Sequence, residues 1–250
     1  MPGLLWVKMP SDWIARNKLQ QEFSSPVNLS TDIAALKIYI SLCLHSEVIQ
    51  RKEYQDSLCY ERIYDQFEST LTYSQLEVST SLSRALISRG ITKLKDTQLI
   101  RDEGTTRKKV YVLLGNPSRG WCKMPRKDIL KKDGVISAFT SFTQRYPHER
   151  DSLKIFLYLL SIRRNSTRYV DVCRGTMKKA TGIELSNIDG ALGFLRSVGL
   201  LEKIESKGYL KRKNDLIADE PQKLHRYFVT GCKTLNLRSV AVESEYDVPQ

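Results

Sequence analysis

The sequence predicts a mainly α-helical protein with small β-hairpins, an α+β fold built from two copies of one unit. Three observations lead to this prediction. Short motifs recur in the same order, most of them about 115 residues apart. Each half contains a strongly apolar segment, and in each half two short helix patterns are followed by a hairpin pattern. A chain of 250 residues is long enough for two domains.

The recurring motifs indicate an internal duplication. Trp6-Val-Lys-Met-Pro10 returns as Trp121-Cys-Lys-Met-Pro125, and Leu36-Lys-Ile-Tyr39 returns as Leu153-Lys-Ile-Phe156. Two further pairs follow in the same order: Leu99-Ile-Arg101 with Leu200-Leu-Glu202, and Val110 to Gly115 with Arg226 to Gly231. The turn residues Asn116-Pro-Ser118 mark the boundary. The prediction is a first domain at 1–116, a second at 117–232 and a C-terminal tail at 233–250.

Each unit begins with a short strand that ends at a proline and continues into helices. The strands are predicted over 4–9 and 120–124, and polar helices over 11–23 and 126–132. The second half adds a helix over 135–146. The apolar segments 32–42 and 152–160 are predicted to be helices at the centre of each core, because they are the most continuously apolar parts of the chain.

The most informative segment covers residues 74–114. A short helix is predicted over 74–78, with a break at 79–81. A second helix follows, whose apolar residues Ile87, Ile91 and Leu94 share one face. A strand begins at Leu99, a turn covers 102–109 and a strand returns over 110–114. The second half repeats this arrangement more loosely over 177–201, with Gly182 suited to the turn and Gly199 to the helix end.

These patterns resemble a known fold. The run Leu82-Ser-Arg-x-x-Ile87-x-Arg-x-Ile91-x-x-Leu94 resembles the helix-turn-helix of bacterial winged-helix DNA-binding families. The Trp-x-Lys-Met-Pro opening is similar to the first strand of N-terminal winged-helix domains in phage and plasmid replication proteins. The resemblance covers most of both halves and implies two tandem winged-helix domains that bind DNA.

In such a fold the start of the second helix of each motif meets base edges in the major groove. The residues expected to read bases are therefore Ser83, Arg84, Ser88 and Arg89 in the first half, and Ser186 and Asn187 in the second. Arginine can bond guanine through two hydrogen bonds, and asparagine can do so with adenine. The alternative is that these residues form only a solvent-exposed polar face without a ligand. This alternative is stronger for the second helix, because Glu184 and Asp189 would repel phosphates.

Basic residues outside these positions are expected to contact the DNA backbone. They are Lys93, Arg107, Lys108, Lys109, Arg163, Arg164, Arg168, Lys178, Lys179, Lys207, Lys211, Arg212 and Lys213. Most lie in the second half, which carries a net charge of +10 against +2 for residues 1–116. Solubilising loops are the alternative, but the total of +12 favours a polyanionic partner.

Several classes of function are excluded by what the sequence lacks. It has no GxxxxGK[ST] phosphate loop, no HExxH and no GxSxG, so we expect neither an enzyme nor a cofactor. Five cysteines without a CxxC pair indicate neither a disulfide framework nor a metal site. No apolar run is long enough to cross a membrane and no signal peptide is evident, so the bacterial cytoplasm or nucleoid is the expected location.

The function predicted from the sequence is sequence-specific binding of double-stranded DNA without catalysis. The first choice is a replication initiator of a plasmid, phage or other mobile element. A transcription regulator is the alternative, and a protein-binding subunit of a condensin-like complex is a third. A homodimer and contacts with replication or transcription machinery stay open. So does the role of an insertion at 50–69, which either mediates dimerisation or packs on its own domain.

Overall fold

The computed structural model describes residues 4–55, 60–105, 108–209 and 223–233. It shows helices with small antiparallel sheets, which confirms the predicted α+β class. The first half contains β1 (Val7–Pro10), α1 (Asp12–Ala15), α2 (Lys18–Glu22), α3 (Leu29–Leu44), β2 (Glu47–Gln55), β3 (Tyr60–Ser69), α4 (Tyr73–Thr80), α5 (Arg84–Asp96), β4 (Ile100–Asp102) and β5 (Tyr111–Leu113). The second contains β6 (Trp121–Met124), α6 (Arg126–Ile129), a 3₁₀ segment (Ser137–Ser141), α7 (Pro147–Ile162), β7 (Val170–Cys173), α8 (Arg174–Thr181), α9 (Leu185–Ser197), β8 (Leu201–Tyr209) and β9 (Lys223–Val229).

From the long helix onward, the two halves share most of their elements in the same order. In the second half, α7 is followed by one strand, two helices and two strands, and in the first half α3 is followed by two strands, two helices and two strands. The long helices α3 and α7 both have 16 residues, α4 and α8 both have 8, and α5 and α9 both have 13. The sheets have the strand orders β2-β3-β5-β4 and β7-β9-β8, with every neighbouring pair antiparallel. The halves therefore differ mainly by the added strand β2.

The helix pairs α4–α5 and α8–α9 are each separated by a tight turn in the left-handed region. Ser81 has φ 54° and Gly182 has φ 70°, so each ends the first helix and redirects the chain. Thr72 forms a capping box with Gln75 at the start of α4, and the Ser83 hydroxyl accepts from Leu86 N at the start of α5. These local signals explain why the sequence predicted this region within a few residues.

Strands β1 and β6 form a two-stranded ribbon that joins the halves. They are the two copies of the Trp-x-Lys-Met-Pro motif, and Lys8 lies opposite Lys123. The indole rings of Trp6 and Trp121 are parallel within 1°, with centroids 6.1 Å apart. Each lysine ammonium lies over the other half's indole, at 4.7 Å for Lys8 and 4.4 Å for Lys123. Equivalent residues facing each other in this way define an approximate two-fold axis through the ribbon.

The buried apolar side chains of both halves form one continuous core. Helices α3 and α7 contact each other at its centre, and α5 packs on α3 as α9 packs on α7. The core therefore crosses the predicted boundary at 116 and 117. Two lysines lie inside it, Lys37 on α3 and Lys154 on α7, with relative exposures of 0% and 1%.

Two predicted helices differ from the structure. The helix predicted over 11–23 is divided into α1 and α2 by Asn17, which has φ 60° and cannot continue a right-handed helix. The helix predicted over 135–146 is only the short 3₁₀ segment. Gly134 and Gln144, with φ 84° and 61°, interrupt the chain on both sides of it.

Strand β7 was not predicted from the sequence. It precedes α8 and pairs with β9. The insertion at 50–69 contributes most of the β2–β3 hairpin, and β3 pairs with β5 of its own half. Packing on its own unit, one of the two interpretations of this insertion, is thus what the described residues show.

Candidate nucleic-acid interface

Helix α5 is amphipathic, with one buried apolar face and one exposed polar face. Ile87 and Leu94 are fully buried and Ile91 nearly so, whereas Ser83, Arg84, Ser88 and Arg89 are all exposed. The four candidate base-reading residues of the first half therefore share one solvent-facing surface at the start of the helix. This surface can supply hydroxyl and guanidinium donors to a ligand that approaches the helix N-terminus.

The two arginines of α5 differ in their surroundings. Arg84 Nε donates to Glu77 Oε2 at 3.1 Å and its Nη2 donates to Ser74 Oγ at 3.2 Å, so α4 holds its guanidinium. Arg89 forms no hydrogen bond or ion pair within the part of the chain that the structure describes. Arg89 can therefore bond a ligand directly, while Arg84 must first leave Glu77.

Helix α9 presents Ser186 and Asn187 to solvent in its first turn. The nearby acidic residues are both paired with cations of α8, Glu184 with Lys178 and Asp189 with Arg174. Their negative charges are thus partly compensated within the helix pair. The same pairs hold two of the basic groups that would contact phosphates.

The basic candidates of the first half lie in three settings. Lys93 is partly buried, with its Nζ 5.5 Å from the ring centroid of Phe23. In the turn between β4 and β5, Lys109 pairs with Asp102 at 3.1 Å and Lys108 is exposed. Arg107 lies outside the described residues.

Three of the basic candidates lie in the loop after α7, and they differ in exposure. Arg163 is only 4% exposed, and its guanidinium donates to the carbonyl oxygens of Arg164 and Thr167, at 2.9 and 2.8 Å, and more weakly to that of Lys123. It ties the loop to β6, so we leave it out of the proposed interface. Arg164 and Arg168 are exposed.

The remaining candidates lie on α8 and on the hairpin of β8 and β9. Lys179 is exposed and Lys178 half-buried. Lys207 is exposed and pairs with Glu205 at 3.1 Å. Lys211, Arg212 and Lys213 lie outside the described residues.

One basic group that the sequence analysis missed is Arg174, the first residue of α8. Its guanidinium contacts His225 Nε2 at 3.1 Å and pairs with Asp189. Burial and the charge of Arg174 lower the pKa of His225 below its ordinary value, so the ring is neutral beside the cation at neutral pH. The sequence signal was its place at the start of the first helix of the pair, where a backbone contact is expected.

Other site types find no support in the described ranges. They hold no group of three or more His, Cys, Asp or Glu side chains able to bind a metal ion. None of the helices in these ranges combines the length and apolarity that a bilayer crossing needs. No family model, curated protein or solved structure matches the chain.

Proposed function

We propose that this chain is a sequence-specific double-stranded DNA-binding protein made of two tandem winged-helix domains that arose by duplication. The observation that carries the proposal is the shared order of long helix, strand, two helices and two strands, to which the first half adds only strand β2, with equal helix lengths in both halves. In a winged helix the second helix of the pair reads DNA and the final hairpin is the wing. Here α5 and α9 take the first role, and the hairpins β4–β5 and β8–β9 take the second.

Helix α5 supplies the main base-reading surface in this proposal. Arg89 is exposed and without an acidic partner in the described ranges, so a guanine edge can replace water on its guanidinium. Arg84 exchanges Glu77 for DNA, while Ser83 and Ser88 bond nearby phosphates or bases. A correct guanine contact is worth about 1–3 kcal/mol over a wrong base.

The second half supplies most of the attraction to phosphates. It holds +10 of the total charge of +12, and Lys179, Arg164 and Arg168 are exposed. Such contacts give affinity that is independent of sequence and depends steeply on salt. No catalytic step and no cofactor enter the proposal.

Within this class, replication initiation at a plasmid, phage or mobile-element origin is our first choice. The similarity of the Trp-x-Lys-Met-Pro opening to phage and plasmid replication proteins supports it. Two reading helices in one chain also suit origins that contain repeated sites. The bacterial cytoplasm or nucleoid, with replication machinery as the partner, follows from this role.

Selection from a pool of random DNA duplexes, followed by footprinting, tests the proposal. We expect enriched sites with two conserved segments about 10 base pairs apart, centre to centre. Arg89→Ala should weaken binding to the enriched site and leave binding to random duplex nearly unchanged. Lys95→Ala, an exposed residue in the last turn of α5, is the matched control and should change neither.

The outcome also separates the alternatives. Enriched sites that occur as repeats beside an AT-rich stretch support an initiator, and one site overlapping a promoter supports a regulator. A protein that shows no salt-sensitive DNA binding at all contradicts both. The protein-binding subunit would then be the function to test.

A further inference from the structure

Two buried lysines occupy equivalent positions in the central helices. Lys37 on α3 and Lys154 on α7 belong to the two copies of the Leu-Lys-Ile motif, and both are almost fully buried. Burial lowers the pKa of Lys37 to about 7 and that of Lys154 to about 8. An ammonium group inside a core is costly unless its hydrogen bonds are satisfied, so its partners indicate what it does there.

Both partners of Lys154 belong to the opposite half. Its Nζ donates to the Phe23 carbonyl oxygen at 3.0 Å and to Ser24 Oγ at 2.9 Å. The neighbouring Arg150 donates to the carbonyl oxygen of Ser25 at 3.0 Å. Helix α7 therefore holds the segment that follows α2.

That segment is in turn packed on the second helix pair. Helix α2 contacts α8, and a Cβ placed on Gly182 would lie only 2.6 Å from Gln20 Cγ. Gly182 is the turn between α8 and α9, so α2 of the first half lies against the turn of the second half's helix pair. Lys154 thereby links the first half to the orientation of α9.

Lys37 makes the reciprocal connection. Its Nζ donates to the Phe139 carbonyl oxygen at 3.2 Å and lies 5.2 and 5.3 Å from the ring centroids of Phe139 and Phe142. The same 3₁₀ segment contacts α4, where Ile136 N donates to the Ser79 carbonyl oxygen at 3.4 Å. A segment of the second half is thus held by α3 and lies against the helix pair of the first half.

We propose that Lys37 and Lys154 are positioning residues that fix α5 and α9 relative to each other, and so set the spacing of the two DNA segments that the chain reads. This inference rests on the proposed function. Each lysine anchors a segment that crosses between halves and touches the other helix pair. Methionine has a similar length and no charge to bury, so it could fill the same space. What lysine adds at these positions is the hydrogen bond from its Nζ to a specific carbonyl oxygen of the other half.

A series of DNA duplexes with altered spacing tests the inference. In this series, one to five base pairs are inserted into or removed from the selected site between its two segments. Each base pair rotates one segment relative to the other by about 35°, because a helical turn takes about 10 base pairs. Wild-type protein should show a sharp optimum, with affinity about tenfold lower one or two base pairs away. Lys154→Met and the double variant with Lys37→Met should flatten this profile to within about threefold.

Two controls make the readout specific to spacing. Ser152→Ala removes a buried side-chain bond to the Glu149 carbonyl oxygen that lies wholly within α7, and it should keep the wild-type profile. Affinity for a duplex with only one of the segments should be unchanged in every variant, because no base contact is removed. Ser24→Ala, which takes away only one acceptor of Lys154, should flatten the profile in part.

A second measurement does not need DNA. Spin labels at Lys95→Cys on α5 and Arg196→Cys on α9, both exposed, report the distance between the helices, and Lys154→Met or Ser24→Ala should broaden that distribution. Variants that keep the wild-type spacing optimum and distance distribution overturn this inference and leave the DNA-binding proposal intact. A wild-type protein that does not bind DNA overturns both.

Discussion

The two halves share one architecture but distribute their charge differently. The first half is nearly neutral, at +2, and its helix α5 carries Arg89, which has no acidic partner among the residues that the structure describes. The second half carries +10, yet two cations of α8, Arg174 and Lys178, are paired with Asp189 and Glu184 around α9. Equal folds therefore do not imply equal roles, and under the proposed function one half selects the site while the other holds it.

The largest expected effect concerns the core that both halves share. Lys37→Met should raise the free energy of unfolding by about 1–4 kcal/mol near pH 6, because a buried ion is replaced by an apolar side chain. The folded-state pKa of Lys37 is lowered from 10.5 to about 7, so the unfolded chain binds more protons between these values and wild-type stability rises with pH there. The advantage of the variant should shrink as pH rises from 7 towards 10.

Urea unfolding of wild type and variant at several pH values measures this difference. Lys154→Met is the matched control in the other half and should show a smaller advantage, because its pKa is lowered only to about 8. An advantage that stays constant from pH 6 to 10 would show that titration of Lys37 is not its source.

The second prediction compares the reading helices. Arg89→Ala should reduce affinity for the selected site by about 1–3 kcal/mol, the value of a bidentate base contact. Asn187→Ala at the start of α9 should cost less, because paired acidic residues flank it. Titrations at one fixed salt concentration give both values. A larger loss for Asn187→Ala would assign site selection to the second half.

The third prediction concerns the phosphate-binding role of the second half. Removing the charges of Arg164 and Arg168, which are both exposed, should weaken binding to selected and random duplexes alike. The slope of log affinity against log salt should fall by about 1.8, since each phosphate contact contributes about 0.9. Removing Lys108 and Lys109 is the comparison, and we expect a smaller change because Lys109 pairs with Asp102. Equal changes would remove the proposed division between halves.

The smallest effect concerns the helix starts. Ser83 caps α5 through its hydroxyl, whereas Glu184 at the equivalent place on α9 makes no such bond. Ser83→Ala should therefore lower the free energy of unfolding by about 1 kcal/mol. Glu184→Ala should change it little, because an exposed ion pair such as that with Lys178 contributes about 0–1 kcal/mol. Thermal unfolding of both variants checks this difference.

Local sequence signals account for what was predictable in the fold. The helix from Arg84 was expected because a break at 79–81 precedes an apolar stripe at helical spacing. The strand β7 was missed because four residues give too short a pattern, and its pairing with β9 joins residues more than 50 positions apart. The 3₁₀ segment was missed because Gly134 and Gln144 adopt left-handed conformations that the sequence does not impose by itself.

In the candidate site, too, only the features set by local sequence could be predicted. The exposed face of α5 follows from helical spacing, and all four of its candidate residues are exposed. Arg163 was included on charge alone, and its carbonyl partners depend on a loop conformation. The buried role of Lys37 and Lys154 had a signal, namely a lysine repeated inside two apolar runs, but only the fold shows which carbonyl each one reaches.

The ribbon of β1 and β6 has a consequence for how the protein depends on its own concentration. Strands that place equivalent residues opposite each other form the kind of interface found between identical subunits of a two-fold dimer. Here one chain supplies both sides, so the partner strand is always present at a high effective concentration. Where separate subunits would dissociate on dilution, this pairing stays intact in a cell that holds only a few copies of the protein.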